Sequence, residues 1–138
     1  MPVIEELICT EQDGTISFGN YKLGQKAKKS DFEYQGDMYK VKTYNEITKL
    51  ERNDMFVYES VPGTAAEHFK VTDEGVEFTV EGSKDAQITI QLENDTDYEV
   101  YVNDAAVGNM KTNMSGKLSV SVELEEGLAV NVKAIRRV

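Results

Sequence analysis

Apolar and polar residues alternate with a period of two along most of the second half of the chain. Val76, Phe78 and Val80 fall on one side of an extended segment, while Glu77 and Thr79 fall on the other. This alternation is typical of antiparallel strands that bury one face against a core. It predicts seven strands, over residues 69–72, 76–81, 88–92, 98–103, 107–112, 118–124 and 128–136.

Turn-forming residues separate these predicted strands. Asp73-Glu74-Gly75 and Asn113-Met114-Ser115-Gly116 are two examples. Gly, Asn and Asp tolerate positive φ angles, and Asn and Asp also bond their own backbone, as tight turns require. A turn about every ten residues is the spacing typical of an antiparallel sandwich or barrel. The sequence therefore predicts an all-β fold with an Ig-like or fibronectin-like β-sandwich over residues 65–138.

The first 64 residues alternate less regularly and predict a smaller, irregular β unit. Asp13-Gly14 lies between two extended segments and predicts a β-hairpin. Residues 38–44 and 55–60 predict two further strands, and residues 45–52 fit either a strand or a short helix. The Lys-rich residues 26–30 predict a polar connector with a helical turn.

Val61-Pro62-Gly63-Thr64 is the predicted boundary within the chain. Pro and Gly punctuate this stretch, and the regular alternation restarts after it. We therefore expect an N-terminal unit over residues 1–64 and a sandwich over residues 65–138. Because the linker is so short, we expect the two units to pack into one body.

The composition is that of an acidic, folded protein. Its 138 residues include 15 basic and 25 acidic side chains, which give a net charge of −10. Such a surface repels phosphate backbones, so nucleic acid is not an expected partner. The sequence has neither a signal-peptide pattern nor an apolar run long enough to cross a membrane, which predicts a cytoplasmic protein without a membrane partner.

Reactive side chains are scarce. His68 and Cys9 are the single histidine and the single cysteine, so a nucleophilic relay would have to use His68. We expect instead that Cys9 packs as a small apolar side chain and that His68 lies at the polar start of a strand. One His and one Cys cannot complete a four-ligand zinc site, and no nucleotide-binding motif occurs, so no cofactor is expected. The acidic turn at residues 93–97 offers oxygen ligands for calcium, although without EF-hand spacing.

Tyr101, Asn103 and Tyr44 are the candidate binding residues. Tyr101 and Asn103 fall on the polar side of a predicted strand, and Tyr44 falls on the side of another strand that carries two lysines. An exposed Tyr beside polar groups can stack on a sugar ring or anchor a protein interface. The alternative is that these tyrosines pack against the other β unit or against a second subunit.

Two resemblances bear on function. Residues 98–103, 112–120 and 125–127 resemble the last strands of small sandwich modules at the C-terminal ends of polysaccharide-active enzymes, with Asp104 where those modules often have Gly. Residues 13–21, 47–53 and 58–64 resemble a family of small acidic proteins of anaerobic Gram-positive bacteria, some of them labelled endosialidase. The resemblance brings no catalytic residues with it.

We therefore expect a non-enzymatic binding or assembly protein. Its expected ligand is a protein or a glycan, and self-association into a homo-oligomer is an open alternative. The family label implies a second possibility, a glycan hydrolase that uses paired carboxylates such as Glu51 and Glu59. A third is a β module stabilised by calcium at the acidic turn.

Overall fold

Two antiparallel sheets pack face to face and form a β-sandwich. The computed structural model describes residues 3–137, in which thirteen strands and no helix occur. The predicted all-β, antiparallel fold is confirmed. The strands are β1 (Ile8–Thr10), β2 (Ile16–Phe18), β3 (Ala27–Tyr34), β4 (Asp37–Tyr44), β5 (Ile47–Arg52), β6 (Met55–Val61), β7 (Ala65–Thr72), β8 (Gly75–Glu81), β9 (Ala86–Gln91), β10 (Asp97–Val102), β11 (Ala105–Lys111), β12 (Lys117–Val122) and β13 (Val130–Arg136).

Each sheet draws strands from both halves of the chain. The seven-stranded sheet has the order β1-β2-β7-β8-β13-β10-β11, and the six-stranded sheet has the order β12-β9-β6-β5-β4-β3. Strand β2 pairs with β7 and strand β6 pairs with β9, so hydrogen bonding crosses residue 64 in both sheets. The residues predicted as a boundary, 61–64, connect β6 in the six-stranded sheet to β7 in the seven-stranded sheet, and we call this one of several such connections the crossover. The two predicted units therefore share both sheets.

The prediction for residues 26–30 is wrong, because they belong largely to strand β3. Ala27, Lys28 and Lys29 pair with residues of β4 along one edge of the six-stranded sheet. Residues 28–31 of this edge strand are exposed and show no apolar alternation, and the partly buried Phe32 and Tyr34 follow a bulge in the register, so the pattern gave no sign of the strand. Residues 45–52, for which strand and helix were both open, contain strand β5. The hairpin predicted at Asp13-Gly14 is confirmed by the pairing of β1 with β2.

Aromatic side chains from both sheets meet in the core. Phe18, Phe69 and Phe78 come from the seven-stranded sheet, and Tyr58 comes from the six-stranded sheet. The ring of Tyr58 meets the other three edge-on, at centroid distances of 5.0, 5.9 and 5.7 Å. Edge-to-face contacts of this kind stabilise beyond the burial of their area. The aromatic cluster thus joins the two layers.

A cluster of buried hydroxyl groups lies at the crossover. We call Thr43, Thr48, Tyr58, Ser60 and Thr64 the hydroxyl cluster, and none of these residues is exposed to solvent. The Thr64 hydroxyl lies 2.7 Å from the Tyr58 hydroxyl and 2.7 Å from the Ser60 hydroxyl. The Thr48 hydroxyl donates to the Thr64 carbonyl at 2.7 Å and accepts from the Thr64 amide at 3.1 Å. Each polar atom of Thr64 therefore has a partner in the six-stranded sheet.

Replacing Thr64 with Val tests the hydroxyl cluster. Val keeps the shape of the side chain but leaves the buried hydroxyls of Tyr58 and Ser60 without their shared partner. We expect the free energy of unfolding to fall by about 1–3 kcal/mol, the usual cost of unsatisfied buried polar groups. The same change at the half-buried Thr89, whose hydroxyl lies 2.9 Å from that of Ser119 on the outer surface, is the control. Urea denaturation showing equal losses for both variants would contradict this role.

Candidate functional site

A cleft of about 290 Å³ opens between the two sheets where several strand ends and turns meet. This volume lies near the lower end of the range for small-molecule sites, roughly 300–1,000 Å³. We call it the inter-sheet cleft. Its lining comes from the β1–β2 turn and β2 (Asp13, Gly14, Thr15, Ile16), the end of β3 and its turn (Tyr34, Gln35), β4 to β6 (Tyr39, Arg52, Val57) and β7 (Phe69, Lys70, Val71).

Tyr34 and Tyr39 form an aromatic wall of the cleft. Their rings meet edge-on, with centroids 5.7 Å apart. Tyr39 is buried, while Tyr34 is half-buried and its hydroxyl donates to the Gly14 carbonyl. That bond ties the six-stranded sheet to the β1–β2 turn of the seven-stranded sheet. The Gln35-Gly36 turn places Tyr34 there, because both turn residues have the positive φ angles of a tight two-residue hairpin.

Asp13, Thr15 and His68 form a hydrogen-bonded group at the mouth of the cleft. His68 Nδ1 lies 3.0 Å from Asp13 Oδ2 and 3.2 Å from Thr15 Oγ1. The other Asp13 oxygen accepts from the Thr15 hydroxyl and, at 3.0 Å, from the Thr15 amide. These bonds from Thr15, aided by His68, lower the pKa of Asp13 to about 2. Asp13 is therefore an ionised hydrogen-bond acceptor throughout the neutral range.

A β-bulge directs His68 toward this group. The register between β7 and β8 shifts between Glu67 and Lys70, and His68 has a φ of 53°. Few residues other than Gly adopt that region, and His is one of those enriched in it. The His68 amide donates to Ser17 Oγ at 3.0 Å, which holds the bulge against β2. Bulges commonly re-aim a side chain next to a functional site.

The placement of His68 corrects one expectation. His68 lies within strand β7 and not at the start of a strand, because β7 begins at Ala65. Its Nδ1 atom bonds to Asp13 and Thr15, and among the described residues it makes no hydrogen bond to Cys9. Cys9 is half-buried in β1, where burial and the negative charge of Glu11 raise the pKa of its thiol.

Arg52 and Lys70 bring positive charge to the cleft. Within residues 3–137, neither side chain lies within ion-pair distance of a carboxylate. Both are exposed, and both can donate hydrogen bonds to a ligand. Together with Gln35 and the Asp13 carboxylate, they surround the aromatic wall with donors and acceptors. Aromatic surface beside a few convergent polar groups is the usual makeup of a ligand site.

The residues predicted to bind lie elsewhere, and the fold does not gather them into one site. Tyr101 is half-buried on β10 of the seven-stranded sheet, with the Lys133 ammonium 5.2 Å from its ring centroid. Asn103 lies in the β10–β11 turn, where its side-chain oxygen accepts from the Asn131 amide at 2.9 Å. Tyr44 belongs to β4 of the six-stranded sheet. Their binding roles stay predictions.

The sequence did not single out the residues of the inter-sheet cleft. Tyr39 falls among the alternating residues of β4, so it looked like an ordinary core residue. Tyr34 ends a strand that the pattern did not predict at all. Two weaker signals were present, the single histidine and the Asp13-Gly14 turn. Neither shows that residues so far apart in sequence meet in space.

Two of the carboxylates named for hydrolysis and for calcium, Glu51 and Asp95, form ion pairs with lysines. Glu51 forms ion pairs with Lys40 at 3.3 Å and with Lys49 at 3.7 Å. Asp95, in the acidic turn, pairs with Lys111 at 3.4 Å. Among the described residues, no group of three or more His, Cys, Asp or Glu side chains is placed to hold a metal ion. Neither alternative gains support from this geometry.

Comparisons with protein-family models, with curated proteins and with solved structures gave no match. The two family resemblances seen in the sequence therefore stay predictions. Over the described part of the chain, no helix is long and apolar enough to cross a membrane. Any functional assignment has to come from the geometry of the site.

The most strongly perturbed carboxyl group lies away from the inter-sheet cleft. Burial raises the pKa of Glu67 to about 8, and the hydrogen bond and negative charge of the adjacent Glu81 add to the effect. Glu67 Oε1 is buried and has no hydrogen-bond partner among the described residues, and the same is true of the Tyr21 hydroxyl. Glu67 therefore holds a proton at neutral pH and does not belong to the cleft lining.

Glu67 should make the free energy of unfolding fall as the pH rises from about 4.5 to 8. Its pKa rises from an ordinary value of 4.5 to about 8 in the folded protein, so folding favours the protonated form. The stabilisation is complete below about pH 4.5 and is lost as the pH rises through 8. We expect Glu67→Gln to flatten the decline in unfolding free energy between pH 5 and 9. The exposed Glu74→Gln is the control, and urea denaturation with the same slope in all three proteins would contradict this assignment.

Proposed function

We propose that the protein is a non-enzymatic binding protein and that its ligand is a glycan held in the inter-sheet cleft. The observation that carries the proposal is the aromatic wall of Tyr34 and Tyr39, surrounded by Asp13, Gln35 and Arg52. A volume of about 290 Å³ suits a single sugar ring or a chain end better than a long polymer segment.

Each group in the cleft has a role that fits a sugar. The Tyr34 ring can pack against the apolar C–H face of a pyranose, because the electron-rich face of an aromatic ring attracts such hydrogens. Tyr39 supports Tyr34 from the core side, and the bond to Gly14 holds it from the other. Asp13 can accept from sugar hydroxyls, and Arg52 can donate to them in its planar fork. Rigid supports of this kind lower the entropy cost of binding.

The same cleft fits binding better than hydrolysis. Glycosidases use two carboxyl groups, one of which must carry a proton that it donates to the leaving oxygen. Among the described residues that line the cleft, Asp13 is the one carboxylate. Its pKa of about 2 leaves it without a proton to donate at neutral pH. These features support a site that recognises a sugar without cleaving it.

A glycan array with matched variants tests the proposal. We expect a glycan that binds the wild-type protein and whose affinity falls by about fivefold or more in Tyr34→Ala, since stacking of a nucleobase on an aromatic ring is worth roughly 1–3 kcal/mol and a sugar face packs on such a ring in a similar way. Tyr34→Phe should lose less, because it keeps the ring and loses only the bond to Gly14. Tyr101→Ala, on the outer surface of the sandwich, should leave the affinity unchanged. Melting temperatures show that each variant is folded.

Three results would count against this function. If no glycan binds, the ligand is not a sugar. If a glycan binds but Tyr101→Ala abolishes the interaction while Tyr34→Ala does not, the site is on the surface predicted from the sequence. Release of a shortened product from the bound glycan would make the protein a hydrolase.

A further inference from the structure

Two sheet edges on the same side of the sandwich are unprotected. The seven-stranded sheet ends at β11 and the six-stranded sheet ends at β12, and both strands border one groove of about 790 Å³. The opposite edges have features that commonly prevent an edge strand from pairing with another chain. Strand β1 has three residues and β3 carries four charged side chains, whereas β11 has seven residues and one charge; the bulge of β11 at Val107 interrupts its pairing with β10 but adds no charge. We call the space between β11 and β12 the open-edge groove.

The backbone of β11 is available for pairing. Residues 105–110 carry no charge and no proline, and most of their side chains are exposed. The Asn103-Asp104 turn is a two-residue hairpin, with φ angles of 51° and 66°. The residues flanking such a turn bond each other, so the next residue, Ala106, directs its amide and carbonyl away from β10. An exposed, uncharged edge of this kind can accept an added strand.

The open-edge groove has an apolar floor. Val107 and Leu128 line it and are 51% and 49% exposed, and Val102, Val122, Leu124 and Val130 line it as well. Exposed apolar surface that is contiguous and rimmed by polar groups marks an interaction site more often than scattered single residues do. The groove shares no lining residue with the inter-sheet cleft, so it is a separate surface.

The charge around the groove indicates which partner it suits. Its charged lining residues are Asp85, Glu123 and Glu125, and no Lys, Arg or His lines it among the described residues. Glu123 and Glu125 are exposed and, within residues 3–137, lie in no ion pair. A second copy of the chain would bring the same acids and a net charge of −10, so the two copies would repel each other. A positively charged segment would be attracted.

We propose that the open-edge groove docks an extended segment of a partner protein that carries apolar and Lys or Arg side chains at every second position. The segment adds to β11 as an antiparallel or parallel strand. Because every second side chain of a strand faces the same side, these apolar and basic side chains all face the groove, where the apolar ones pack on Val107 and Leu128 and the basic ones reach Glu123 and Glu125. Backbone bonds supply affinity, and the side chains that face the groove supply specificity. This surface is independent of the glycan proposal.

The probe is a short fluorescein-labelled peptide in which every second residue is in turn valine or lysine and serine fills the positions between, with fluorescence anisotropy as the readout. We expect it to bind the wild-type protein and to bind Glu123→Lys/Glu125→Lys at least about tenfold more weakly. The matched control, Asp73→Lys/Glu74→Lys, reverses two charges on the β7–β8 turn and should keep the wild-type affinity. Amide hydrogen exchange in residues 105–111 should slow when the peptide is bound.

Several outcomes would overturn the proposal. Failure of the valine–lysine peptide to bind would do so, as would equal binding of a valine–glutamate peptide. Equal weakening in the groove and control variants would mean that the peptide responds only to overall charge. Slower exchange in β12 without any change in β11 would refute the assigned edge. A dimer detected by sedimentation and abolished by Val107→Lys would make a second copy of the chain the occupant.

Discussion

Buried polar groups need hydrogen-bond partners inside the protein. The hydroxyl cluster at the crossover, residues 61–64, depends on this requirement. Thr64 meets it fully, since its amide, carbonyl and hydroxyl all bond to the hydroxyl cluster. Close packing depends on glycine there, because a side chain at Gly63 would collide with the Tyr44 carbonyl and one at Gly19 with the Thr64 carbonyl. An unpartnered hydroxyl at this depth costs more than most single contacts contribute. The crossover therefore fixes the position of one sheet relative to the other.

The same strands that carry the hydroxyl cluster carry the inter-sheet cleft at their other ends. Strand β4 holds Thr43 in the cluster and Tyr39 in the cleft, and β5 holds Thr48 and Arg52. Four residues of extended chain span about 13 Å, and paired strands change that length very little. The hydrogen-bonded strands β4 and β5 therefore set the distance between the crossover and the cleft residues Tyr39 and Arg52. At the cleft end of these strands, the hydrogen bond from the Tyr34 hydroxyl to the Gly14 carbonyl joins the two sheets.

The parts of the fold that the sequence predicted are those governed by local pattern. Strands β8, β9 and β12 each bury alternate residues, so their periodicity was readable. Strand β3 was not predicted because its residues 28–31 are exposed and its partly buried Phe32 and Tyr34 follow a bulge that interrupts the register. The break at residues 61–64 was detected, although local sequence cannot tell a crossover between sheets from a linker between units. That difference depends on which strands pair, and the pairing partners are far away in the chain.

The functional residues were harder to predict for the same reason. His68 reaches Asp13 only because a bulge turns it out of the regular alternation, and the two residues are 55 positions apart. Tyr34 and Tyr39 become a wall only when the β3–β4 hairpin meets the β1–β2 turn. The pattern alone could place Tyr101 on the polar side of a strand, but it does not reveal the cleft. Long-range pairing created the site, and no short motif encodes it.

The central claim is that the crossover makes the two sheets one cooperative structure. Native-state hydrogen exchange, followed by NMR across low urea concentrations, measures this directly. We predict that the slowest amides of β5, in the six-stranded sheet, and of β8, in the seven-stranded sheet, converge on one opening free energy equal to that of global unfolding. Separate opening free energies for the two sheets, with one sheet exchanging while the other stays protected, would contradict the account.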